Sequence, residues 1–119
     1  MNLNDGGMLA VQMPLVQEAM FYKLLNRLIS EGKWKKLSVI HNFHNLTPNE
    51  TYDILSRVSN DITMWDTTYY HVVPSHDSVI EWYKGSGLRP YLEMLSPAEK
   101  SEFLSDLLAV IKREYPVQA

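Results

Sequence analysis

The sequence of 119 residues contains no cysteine, which excludes disulfide bonds and zinc–thiolate sites. No apolar run approaches the length of a membrane span. Basic residues are not in excess, and the net charge of −3 gives no support to nucleic-acid binding. The first residues, MNLNDGG, lack both the basic start and the long apolar stretch of a signal peptide. These absences predict a soluble, cytoplasmic protein with no nucleic-acid or membrane partner.

What the sequence does contain is typical of a folded domain. Hydrophobic residues make up 45% of the chain, so wholesale disorder is not expected. The length suffices for one domain or part of one.

Two segments have the patterns of β-strands. Residues 8–13 form an apolar run broken only by Gln12, which is typical of a strand covered on both faces. Residues 61–73 alternate between two faces and are rich in β-branched and aromatic side chains, and Pro74 ends the segment. The predicted fold class is therefore α/β, or α+β for an isolated fragment, mostly helical with strands at about 8–13 and 61–73.

Helices are predicted for most of the remaining chain. Apolar residues at steps of three and four over 15–31 indicate an amphipathic helix that ends at Gly32. Steps of three over 33–45, ending at Phe43, indicate a helix or broken helix. Capping boxes at Thr47 and Ser96, each followed by proline, predict two further helix starts, and Ser75 predicts a short helix. Residues 88–95 are predicted to form one or two helical turns. Two strands alone make a marginal sheet and leave unpaired edges.

The segment KGSGLRP, residues 84–90, is a candidate anion site. Its two glycines predict unusual backbone angles and amides that approach an anion closely. Lys84 supplies a point charge, and Arg89 supplies a planar fork that matches a carboxylate. The alternative is that both charges are solvated and the glycines only end a helix.

Tyr69, Tyr70 and His71 are further candidates, because they close the alternating segment. Tyr69 and His71 share one face, and Tyr70 lies on the other. They either line a pocket or are buried aromatic residues, and His71 is either structural or a substrate contact. His41 and His44 are three residues apart without an evident third ligand, so no metal site is predicted. No nucleophile motif is present either.

These residues also carry a family resemblance. The runs W-x-T-T-Y-Y-H at 65–71 and E-W-x-K-G-S-G-L-R-P at 81–90, together with GGMLAVQMP at 6–14 and LSPAEKSEFLSDLLAVIKREYP at 95–116, resemble the C-terminal half of the trans-aconitate methyltransferase family. The family implies methyl transfer from S-adenosylmethionine to a carboxylate of trans-aconitate, in the doubly wound α/β fold of class I methyltransferases. Segments 8–13 and 61–73 would be two of its strands.

The resemblance also implies a substrate site. Its members are Tyr69, Tyr70, His71, Lys84 and Arg89, which would grip the carboxylates that do not react. No catalytic residue is identified, because the reacting carboxylate is already ionised and needs only positioning.

Parts of the family pattern are absent from this sequence. The glycine-rich cofactor loop, the acidic residue after the second strand and the last strand are not found, and Leu15-Val16 stand where the family commonly has Asp-Asn. Residues 1–119 are therefore predicted to be a single partial domain that is inactive and binds no S-adenosylmethionine alone. Two alternatives remain: a non-catalytic module that binds a small carboxylate, and an interaction module that forms a homodimer or joins a complementing chain through strand edges.

Overall fold

The structure of the chain, a computed structural model, describes residues 3–40 and 45–117. Within these residues the regular structure is helical. The five α-helices are α1 (Met20–Ser30), α2 (Pro48–Leu55), α3 (His76–Lys84), α4 (Arg89–Glu93) and α5 (Pro97–Glu114). Short 3-10 helices cover Val16–Glu18 and Lys35–Val39.

The core forms where α5 packs against α1 and α3. Phe103, Leu107 and Ile111 recur every four residues along one face of α5, and all three are completely buried. Phe21 and Leu25 of α1 meet them in the same apolar cluster. The remaining members of this cluster come from α1, α3, α4 and the loops between helices: Ile29, Trp34, Leu37, Ile80, Leu88, Tyr91 and Leu95.

The segment after α1 is held against α5 by Trp34. Its indole Nε1 donates a hydrogen bond to Asp106 Oδ2 at 2.8 Å, and its ring meets Phe103 edge-on with centroids 5.1 Å apart. Leu37, three residues later, is also buried. A spacing of three matches a 3-10 helix, in which positions i and i+3 eclipse, so the predicted broken helix is confirmed over residues 35–39. Phe43, His41 and His44 lie outside the described residues.

Ion pairs reinforce the same contact. Lys33 pairs with Glu102 and, at 3.3 Å, with Asp106, while Lys36 pairs with Glu99. Lys33 and Lys36 thus lie beside acidic residues of α5.

The predicted helix boundaries are largely confirmed. Thr47 and Ser96 each form a complete capping box in front of a proline, and Ser75 accepts the amide of Ser78 at the start of α3. Gly32, just beyond α1, has φ +91°, a conformation that favours glycine at a helix end. Short-range capping chemistry is therefore sufficient to locate these helix starts.

The two predicted strands are wrong: no strand forms anywhere in residues 3–40 and 45–117. Segments 8–13 and 61–73 both have irregular backbone and side chains that are mostly exposed. A strand requires backbone hydrogen bonds to a neighbour as well as a suitable pattern of side chains. In the described chain neither segment provides that neighbour for the other.

Helix α2 also lies apart from the core. Its capping box is complete, yet none of its residues is buried. The radius of gyration of 18.5 Å reflects these extended parts. A compact domain of this length would have a radius of gyration of roughly 13.5 Å.

In the part of the chain that is described, no helix has the length and apolar character needed to cross a bilayer.

Candidate functional site

The loop between α3 and α4 is built from its own backbone hydrogen bonds. Gly85 follows α3 with φ −79°, and the amides of Ser86 and Leu88 both donate to the carbonyl of Tyr83. The amide of Arg89 donates to the Ser86 carbonyl. These amides therefore complete the helix end and are not directed at an anion.

The predicted unusual backbone angles at the two loop glycines are wrong, since the positive-φ glycines among the described residues are Gly6 and Gly32. Gly87 is needed for a different reason. A Cβ atom built there would lie 2.1 Å from Tyr22 Oη, far inside van der Waals contact. Gly87 thus lets the loop approach α1 closely.

Tyr22 belongs to an aromatic cluster beneath the loop. Phe21 stacks on Tyr83 with ring centroids 3.6 Å apart, and Tyr22 meets Tyr83 edge-on at 5.5 Å. Burial raises the pKa of Tyr22 and Tyr83 above that of a free tyrosine, and Tyr115 raises the pKa of Tyr83 further. These phenols are therefore neutral at physiological pH. The cluster fixes the end of α3 against α1.

Lys84 and Arg89 lie on either side of this loop, and each pairs with a glutamate of its own helix. Lys84 Nζ is 2.5 Å from Glu81 Oε1, and Arg89 Nε is 2.9 Å from Glu93 Oε1. Sequence reasoning did not consider these partners. Their spacing of three and four residues on a helix was the signal that could have found them.

The aromatic candidates lie beside α3. The rings of Tyr69 and His71 are 6.4 Å apart and nearly parallel, and His71 contacts Trp82 of α3 with centroids 4.9 Å apart. Tyr70 is 90% exposed. Trp82 also belongs to this aromatic group. The sequence predicted that Trp82 lies on a short helix, but it did not predict the contact with His71. Since 69–71 and 82 are separated along the chain, only the tertiary structure could bring them together.

The five predicted residues do not line the small depression found on the surface of the described chain. This depression of about 130 Å³ lies elsewhere, between α1, the 3-10 helix at 35–39 and α4. Asn26, Ser30, Ser38 and Tyr91 give it its polar groups, and no charged side chain is among its lining residues. It therefore offers no counter-charge to a polycarboxylate.

S-adenosylmethionine, the methyl donor that the resemblance implies, is larger than this depression can hold. Sites for ligands of that size occupy roughly 300–1,000 Å³, well above the depression of about 130 Å³. Residues 3–15, which carry the GGMLAVQMP run, are almost entirely exposed. No group of three potential metal ligands is found over 3–40 and 45–117.

Comparison with known proteins relates the chain to methyltransferases, although no family model matches it. A trans-aconitate 2-methyltransferase of Yersinia pestis (strain Pestoides F) is 33% identical over 115 residues, which are 94% of this chain and 45% of that protein. The protein of the same name in Escherichia coli O157:H7 is 35% identical over 121 aligned positions, covering 98% of this chain and 45% of the relative.

The resemblance noted in the motifs is thereby confirmed. The chain is homologous, over nearly its whole length, to part of proteins named trans-aconitate 2-methyltransferase. It spans slightly less than half the length of the curated relatives it matches.

Proposed function

We propose that this chain is the acid-binding part of a methyltransferase that acts on a small polycarboxylic acid resembling trans-aconitate. We further propose that it does not transfer a methyl group alone. The observation that carries the proposal is its similarity, over 94–98% of its length, to proteins named for that reaction.

The chemistry asks little of the protein beyond positioning. A carboxylate is ionised at neutral pH, so it attacks a methyl carbon without a general base. The protein must hold the acid so that oxygen, carbon and leaving group lie in line. The residues proposed to do this are two cations, Lys84 and Arg89, and three ring side chains, Tyr69, Tyr70 and His71.

The existing ion pairs of Lys84 and Arg89 are compatible with this role. Exposed pairs of this kind are worth about 0–1 kcal/mol, because water competes for both charges. A substrate carboxylate can therefore replace Glu81 or Glu93 at small cost.

The first test is calorimetric titration of trans-aconitate into the purified chain and into its Arg89→Ala variant. An exposed charged contact is worth up to about 1 kcal/mol, so the Kd should rise by up to about fivefold. Arg113→Ala is the matched control, because Arg113 is an equally exposed arginine paired with a neighbouring glutamate. Equal affinities of the two variants, or no binding of the acid at all, would contradict the proposal.

The second test concerns the cofactor. S-adenosylhomocysteine is titrated into the same chain with and without trans-aconitate, and methyl transfer from labelled S-adenosylmethionine is followed in parallel. We expect neither binding nor transfer, because the glycine-rich cofactor loop of the family is not found in this sequence. Either signal would show that the chain forms a cofactor site and that the second part of the proposal is wrong.

A further inference from the structure

Two segments of the chain carry large apolar side chains that are exposed to water. In residues 8–13 these include Met8, 86% exposed, and in residues 64–72 they include Trp65, Tyr70 and Val72, of which Val72 is 95% exposed. Single exposed apolar residues are common on soluble proteins, but contiguous apolar patches mark interaction surfaces. We refer to residues 8–13 and 64–72 as the exposed apolar segments.

The backbone of these segments also has no hydrogen-bond partner among the described residues. In the described chain, no hydrogen bond of the backbone or of a side chain involves the main chain of 8–13 or 64–72. Water can satisfy these groups while they are exposed, but any surface that covers them must supply donors and acceptors. That requirement excludes an acyl chain as the occupant and favours another polypeptide.

In the described chain, the helical core does not cover these segments. The apolar faces of α1 and α5 are already buried against each other, and α3 and α4 complete that core. Helix α2 also exposes apolar side chains: Tyr52 and Ile54 are exposed, and none of its residues is buried. The uncovered surface therefore extends over several parts of the chain.

The relatives indicate what the occupant is. Each is more than twice as long as the part that this chain matches, so the larger part of their sequence has no counterpart here. We propose that the exposed apolar segments are the contact surface for a polypeptide corresponding to that unmatched part. A second copy of the chain is a poorer occupant, because it brings another closed helical core and the same net charge of −3. The proposal goes beyond the function above, and its test needs neither acid binding nor methyl transfer.

The test follows Trp65 directly. In a Trp82→Phe background two tryptophans of this chain remain, Trp34 at 4% exposure and Trp65 at 79%. With the tryptophans of the second polypeptide replaced by phenylalanine, quenching by acrylamide therefore reports Trp65. The tagged chain is co-expressed with the part of the Escherichia coli O157:H7 relative that it does not match. We expect the two polypeptides to co-purify and quenching of Trp65 to fall at least threefold.

Two aspartate variants distinguish a charge placed within the proposed contact surface from a charge placed at an exposed position outside it. Val72→Asp places a charge within the proposed contact and should weaken the association at least tenfold. Val117→Asp, at another highly exposed valine, should change it less than twofold. Both positions are exposed in the chain alone, so neither variant disturbs the helical core.

A fusion of the two polypeptides tests the same contact in case the second polypeptide does not fold by itself. The unmatched part of the relative is linked to this chain through a site for a specific protease, and the linker is cut after purification. We expect the two parts to remain associated with Trp65 protected. Separation after cutting, unchanged quenching of Trp65, or failure of both forms to give a soluble assembly would overturn the proposal. So would a concentration-dependent dimer of the chain alone that buries Trp65.

These outcomes are distinguishable from those of the acid titrations. A protected Trp65 without Arg89-dependent acid binding supports the surface and contradicts the function. Arg89-dependent acid binding with Trp65 still exposed supports the proposed function and contradicts the proposed contact surface.

Discussion

Gly87 lies where the loop after α3 meets Tyr22 of α1, and a side chain has no room there. Gly87→Ala should destabilise the fold by about 1–3 kcal/mol, because the new methyl group would force the loop and Tyr22 apart. Gly85→Ala is the control: its Cβ would meet nothing within 4 Å and its φ is ordinary, so stability should be unchanged or slightly higher. Urea unfolding followed by tryptophan fluorescence measures both. Equal effects of the two variants would show that the contact with Tyr22 does not matter.

Glu99 should make stability depend on pH. The Lys36 ammonium and the Ser96 amide lower the pKa of Glu99 from 4.5 to about 2 in the folded chain. A carboxyl whose pKa is lower when folded adds stability that is present above pH 4.5 and is lost as the pH falls towards 2. The free energy of unfolding should therefore decrease over that interval.

Comparison with Glu99→Gln isolates this contribution. The variant should be less stable than the natural chain at pH 7, and the difference should shrink as the pH falls below 4.5. Glu31→Gln is a suitable control, since Glu31 takes part in no ion pair of the described residues. A difference that stays constant from pH 7 to pH 3 would contradict the assignment.

At the scale of helices, the two capping boxes should have unequal importance. Ser96→Ala removes the cap of α5, which carries the core, and should lower global stability by about 0.5–2 kcal/mol. Thr47→Ala removes the same kind of cap from α2, which buries no residue, so it should reduce helix content without moving the global transition.

Circular dichroism and urea unfolding separate these two effects. Circular dichroism reports the helix content, while the emission of Trp34 reports unfolding of the core. If Thr47→Ala shifted the Trp34 transition as far as Ser96→Ala does, α2 would have to be part of the cooperative core.

At the scale of the whole molecule, the chain should be less compact than a typical domain. Small-angle scattering of the monomer should give a radius of gyration near 18.5 Å, well above the roughly 13.5 Å of a compact domain of this length. In the assembly proposed above, hydrogen exchange of segments 8–13 and 64–72 should slow, while that of α5 stays slow throughout. A compact monomer would mean that the chain covers these segments itself.

The sequence alone determined where the capped helices begin. Capping residues, prolines and steps of three and four act over a few residues, so Thr47, Ser75 and Ser96 could be recognised without a structure. It also determined the relationship to the methyltransferases, because the motifs at 65–71 and 81–90 are local.

Only the tertiary structure decided which segments acquire partners. The alternation in 61–73 predicts side chains suited to a sheet, but a strand also needs a neighbour, and the described chain offers none. The same reason limits prediction of the site: the contact of His71 with Trp82, the approach of Gly87 to Tyr22 and the pairing of Lys36 with Glu99 join residues whose meeting depends on how the helices pack.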